Sequence, residues 1–155
     1  MANVYFADTS ALSKRYINEI GTNWLQATLE PSTGCTVFVV RTTAVELIAA
    51  LARRERGGTL APPDSVVARA AFRAHLSIEY KIIEVTEVLV NQAMLLAETY
   101  GLRGYDAVQL AAALEVNVSY RATNLPTVIL LSADTELNAA AIAEGLIVEN
   151  PNSHP

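Results

Sequence analysis

Five apolar runs of strand length, rich in β-branched residues, recur along this chain at residues 4–7, 36–40, 81–85, 127–131 and 146–148, with helical patterns between them. That alternation constrains the fold more than any other feature. Strands joined through helices run parallel, their crossovers are right-handed, and helices must cover both faces of the resulting sheet. The expected architecture is α/β: one domain with a mostly parallel central sheet of about five strands, flanked by helices on both faces. At 155 residues and 52% hydrophobic content, the chain can bury a single substantial core. Residues 1–150 are assigned to that domain, and residues 151–155, the end of "NPNSHP", to a short C-terminal tail expected to fray.

Helix boundaries are marked chemically. "TTAVELIAALARRERGG" opens on Thr42 and Thr43, is expected to turn Val45, Leu47, Ile48 and Leu51 inward, and ends in cations before Gly57 and Gly58. Pro62 and Pro63 suit the first turn of the next helix, where a missing amide hydrogen costs little. Two more helices are expected at about 87–100 and 105–116, separated by "GLRG", and a last one at about 134–143, ended by Gly145.

The formal charge of -5, from 11 Lys+Arg against 16 Asp+Glu, argues against simple electrostatic wrapping of nucleic acid. One cysteine, Cys35, precludes an internal disulfide, and two histidines, His75 and His154, are too few for imidazole-based metal chemistry. No basic leader precedes Asp8, and no apolar run approaches the roughly 18 residues of a membrane span. A soluble protein of the reducing cytoplasm, away from membranes, is expected.

Four acids share an unusual setting: Asp8 in "FADTSAL", Glu46 in "TAVELIAAL", Asp106 in "GYDAVQLAAAL" and Asp134 in "LLSADTEL". Each lies at a strand end or in a helical first turn among small or apolar residues, and none has Lys or Arg three or four positions after it. Helix capping explains any one of them, and Thr43 with Glu46 fits a capping box. Capping alone explains the set of four less well. Carboxylates converging on one crevice are how proteins hold hard cations such as Mg²⁺ and Mn²⁺ near phosphates.

These motifs, "YFADTSALSKRY", "VELIAAL", "YDAVQLAAAL" and "SADTEL…AA…GLIVENP", resemble in order the four acidic motifs of PIN-domain ribonucleases, and especially VapC-type toxins of type II toxin–antitoxin pairs. The resemblance spans nearly the whole chain. It implies a single PIN-like domain and a metal-dependent endoribonuclease using one or two Mg²⁺ (or Mn²⁺) ions. Asp8, Glu46, Asp106 and Asp134 would then be the catalytic, metal-binding acids, with Asp8 and Asp106 as direct ligands. Ser10 and Ser132 match the hydroxyl positions beside the first and last acids and would orient ligands. The chain departs from the pattern at Leu137, where many relatives carry an aromatic residue, and Glu136 is the nearest extra acid. The implied partners are an RNA substrate, a VapB-like antitoxin able to set a basic residue against the acids, and a second copy in a homodimer.

Arg53, Arg54 and Arg56 crowd one helix end, with Arg69 and Arg73 on the next helix. They either complement a helix terminus and stay solvated, or contact RNA phosphates. Lys14, Arg15 and His75 are read as surface groups, and Trp24, Tyr5, Phe6 and Phe38 as packing residues. Apolar surface for a partner is sought near Trp24 and residues 88–96. The alternative function is a catalytically silent PIN-like module that binds RNA or protein without turnover. An aspartate-nucleophile phosphatase would want a second acid where Ser10 stands, and no glycine-rich phosphate loop or nucleophile elbow is present.

Overall fold

A computed structural model describes residues 2–155. In chain order the elements are β1 (Val4–Ala7), α1 (Thr9–Leu12), α2 (Thr22–Thr28), β2 (Thr36–Val40), α3 (Thr43–Arg56), α4 (Pro62–Ile78), β3 (Tyr80–Ile83), α5 (Glu87–Tyr100), α6 (Gly104–Ala122), β4 (Val128–Leu131), α7 (Thr135–Ala143) and β5 (Ile147–Glu149). The five strands form one sheet in the order β3-β2-β1-β4-β5, and every pairing is parallel. The α/β architecture expected from the alternation is the one observed.

Side-chain alternation along the strands builds the two layers. Val4 and Phe6 of β1, Phe38 and Val40 of β2, and Leu130 of β4 point to the face covered by α5, α6 and α7. Tyr5, Ala7, Val37, Val39 and Leu131 point the other way, under Leu12, Leu25, Leu47, Leu51 and Phe72 of the earlier helices. Because both faces are covered, the strands read as continuous apolar runs.

Three differences from the sequence reading exceed a single residue. β3 begins at Tyr80, which is buried opposite Val37, and stops before Glu84 and Val85, which face outward. α6 continues six residues past Val116 despite "NVSY", because Val116 and Asn117 are buried and the Asn117 side chain accepts the Val128 N–H at 3.3 Å. Tertiary packing outweighs the weak helix propensity there. The C-terminal residues expected to fray are instead packed: Pro151–Ser153 form a 3₁₀ turn, Pro151 is buried, and the His154 ring stacks on Trp24 with centroids 4.1 Å apart.

Candidate active site

The strand order fixes where the crevice opens. The chain moves outward from β1 through β2 to β3, then returns to the other side of β1 for β4 and β5, so the winding reverses between β1 and β4. In open parallel sheets, ligands are taken at the carboxyl ends of the strands flanking such a reversal. Asp8 follows the last residue of β1 and Ser132 the last residue of β4, and the Asp8 N–H bonds to the Leu131 carbonyl at 3.0 Å.

Asp8 is buried and tightly held. Its Oδ2 accepts from the Ser10 N–H at 3.2 Å, the Ser10 hydroxyl at 2.5 Å and the Ser132 hydroxyl at 3.4 Å. The hydroxyls are oriented from behind. Ser10 Oγ accepts the Ala133 N–H at 3.0 Å and Ser132 Oγ accepts the Asp134 N–H at 3.1 Å, which directs both hydroxyl protons toward the carboxylate. Asp8 is therefore an N-cap of α1 as well as the floor of the crevice. Burial pushes its pKa up to about 6 against the opposing serine hydrogen bonds, and the Asp106 charge adds to the rise.

Glu46 and Asp106 enter from opposite faces, each in the first turn of a long helix. The expected Thr43–Glu46 capping box does not form: the helix is capped one residue earlier at Thr42, with no side-chain cap hydrogen bond, and Thr43 Oγ1 and Glu46 both accept from Gln109 Nε2, the glutamate at 3.2 Å. Desolvation and the neighbouring Asp8 charge push Glu46 up to about 7. Asp106 is likewise raised, by desolvation first and by Asp134, while Arg103 opposes the shift. Asp134 caps α7, accepting from the N–H groups of Glu136 and Leu137 at 2.9 and 3.0 Å.

Two residues of this site escaped the sequence reading. Gln109, fully buried on α6, also donates to Thr9 Oγ1 at 3.2 Å and Thr43 Oγ1 at 3.0 Å, tying the starts of α1 and α3 to α6. Its signal was a lone amide in the apolar run Ala107–Leu114. Arg103, from the "GLRG" segment, pairs with Asp106 at 3.0 Å and Asp134 at 3.2 Å. This cation precedes Asp106 by three positions, so the residues that follow each acid give no sign of it. Helical ion pairing thus does account for part of the Asp106 environment.

The other positions sort clearly. Leu137 is a core residue and Glu136 is exposed. Arg54 and Arg69 are committed to Glu19 and Glu55. Arg53, Arg56 and Arg73 enter no ion pair among the described residues. Lys14, Arg15 and His75 are not free surface groups. Lys14 is buried against Glu19, Arg15 bonds to Glu79 and Tyr80, and His75 Nδ1 meets the Tyr16 hydroxyl at 2.8 Å.

A hard cation is implied by the resemblance, and the donor set fits one in kind. Every candidate ligand is an oxygen, and Asp8, Glu46 and Asp106 each raise or are raised by another, which a divalent ion would reverse. Yet no three acidic, histidine or cysteine side chains among the described residues lie close enough to form a ready-made cage. Arg103 holds Asp106 and Asp134 in the arrangement observed.

No protein-family model and no curated protein matches this chain. Solved structures do. PAE2754 from Pyrobaculum aerophilum superposes with a TM-score of 0.64 at 23% identity, covering 96% of this chain and 85% of that one. VapC20 of Mycobacterium tuberculosis, described as a sarcin–ricin loop cleaving toxin, gives 0.62 at 21% identity over 97% and 99%. VapBC2 of Rickettsia felis, solved bound to a DNA fragment from its promoter, gives 0.60 at 14% identity over 95% and 98%. With five parallel strands and the crevice at the β1/β4 reversal, the chain has the fold of the VapC-type PIN domains.

Proposed function

We propose that this protein is a metal-dependent endoribonuclease acting as the toxin of a toxin–antitoxin pair. The observation that carries the reading is Asp8: a carboxylate at the sheet's reversal point, buried, oriented by two serines, and close enough to Glu46 and Asp106 for their charges to interact. Asp8, Glu46, Asp106 and Asp134 would hold one or two Mg²⁺ or Mn²⁺ ions. The chemistry such an ion supplies when bound is a water acidified toward neutrality and charge neutralisation on the phosphodiester. Ser10 and Ser132 keep Asp8 pointed into the crevice, and Gln109 fixes Glu46 against α6. The fold shared with a toxin that cleaves the sarcin–ricin loop supports RNA as the substrate class.

An antitoxin partner is part of the proposal. Clustered carboxylates with raised pKa values attract a guanidinium, and Arg103 already makes that contact within the chain. Self-association is also proposed, through the exposed Val88, Met94 and Leu95 of α5, and sedimentation would register it as a dimer. The decisive assay incubates the chain with labelled structured RNAs in Mn²⁺ or Mg²⁺, beside an EDTA control and Asp8→Asn. Cutting is expected in metal alone and is lost in both controls; cutting that survives Asp8→Asn would remove Asp8 from the chemistry. The silent-module reading has one observation in its favour, the Arg103 contact with two of the four acids. Calorimetric titration with Mn²⁺ separates the two, since no binding would favour the silent module.

A further inference from the structure

Beside the acids lies a groove that shares only Glu46 with the proposed cleavage site. It opens about 250 Å³ between one face of α3 and the start of α6. Val45, Ala49 and Ala50 form its floor, Arg53 stands at one end, Tyr105 forms the facing wall, and Glu46 lines it too, so it runs directly into the acidic crevice.

Its composition is odd for ordinary surface. Val45, expected to point inward, is 70% exposed, and Tyr105 is 60% exposed. A β-branched residue on the outer face of a helix contributes nothing to the core and is a modest helix former. The core face of α3 is supplied separately by Leu47 and Leu51. The floor is low because Ala49 and Ala50 carry only a methyl each, so a flat group can lie against the helix. Arg53 is the arginine of its cluster that reaches this groove, and no carboxylate neutralises it among the described residues.

We infer that this groove is a nucleotide subsite for single-stranded RNA, with an unpaired base stacked on the Tyr105 ring over the alanine floor and a flanking phosphate on Arg53. The inference rests on the ribonuclease reading and extends it to substrate class. Three features favour RNA over a protein helix as the occupant: continuity with a site proposed to cut phosphodiesters, an uncommitted cation, and an exposed aromatic ring in the lining. Aromatic rings paired with guanidinium groups are how proteins hold splayed bases without reading a duplex. The subsite therefore predicts preference for unpaired over base-paired RNA beside the cut.

The test measures fluorescence anisotropy of a labelled unstructured oligoribonucleotide in Ca²⁺, so that association is read apart from cutting, with an RNA duplex alongside. Cleavage in Mn²⁺ is assayed in parallel. Wild-type chain is expected to prefer the single strand. Tyr105→Ala should weaken that binding about tenfold, Tyr105→Phe should retain it, and Arg53→Gln should weaken it while lowering the salt slope by about one. Both side chains are exposed, and thermal melts verify that the variants fold. Wild-type RNA cleavage with Tyr105→Ala binding and cutting undiminished would overturn the subsite alone and leave the groove to a protein partner. RNA neither bound nor cut by the wild-type chain would overturn the ribonuclease reading and the subsite with it.

Discussion

Asp8 carries an electrostatic cost that can be read in stability. Its folded pKa of about 6 stands above the ordinary 3.8, so between those values the folded chain holds the proton more firmly than the unfolded chain does. Stability therefore falls as pH rises through that window, and Glu46, raised to about 7 from 4.5, extends the fall to neutrality. In EDTA above pH 7, Asp8→Asn should raise unfolding stability, by an amount on the order of 1–3 kcal/mol given about 1.36 kcal/mol per pKa unit. Denaturant melts across pH should show that advantage closing as pH drops below about 6; a constant gap would mean that burial does not perturb Asp8. Arg103 offers a second test. Its guanidinium is 77% exposed on the side chain yet touches two acids, so a Mn²⁺ ion held as proposed would have to compete with it. Arg103→Gln should tighten Mn²⁺ binding by about two- to five-fold in calorimetry, the modest effect expected of an exposed ion pair.

At the level of elements, α3 divides into a face that holds the fold and a face that meets solvent. Leu51 is fully buried, and Leu51→Ala should cost about 2–5 kcal/mol, whereas Val45→Ala on the exposed face should cost well under about 1 kcal/mol in the same urea melts. The sequence revealed the existence and ends of this helix, because threonines open it and glycines follow it, but it revealed neither its capping bonds nor its rotation. Val45 and Leu47 are both apolar, and the period of 3.6 alone tolerates either turning inward. The same distinction separates what was legible in the site. Acids at the ends of apolar runs announce themselves locally, so Asp8, Glu46, Asp106 and Asp134 stood out. Gln109 and Arg103 act through partners brought up by other elements, Thr9 and Thr43 in one case and Asp134 in the other. Their roles depend on the order β3-β2-β1-β4-β5, which periodicity does not encode.

Across the whole molecule, the C-terminal residues are tied into the domain. Gly21 has φ of +86°, and a Cβ there would come within 2.2 Å of the Pro151 carbonyl oxygen, so the α2 start and the C-terminal turn are fitted to each other. Gly21→Ala and removal of residues 150–155 should each lower the melting temperature by several degrees, with losses smaller than additive when combined because they break one contact. The central position of β1 has a consequence in time. During synthesis β1 pairs on one side with β2, about 30 residues later, but on the other side it must wait for β4, and Ser132 reaches Asp8 from 124 positions along the chain. Such distant closures come late in folding and leave an open strand edge meanwhile. The pairing that seals the sheet is thus the one that finishes the acidic crevice, so a nascent chain stopped before β4 is an aggregation hazard to itself and carries its acids unassembled.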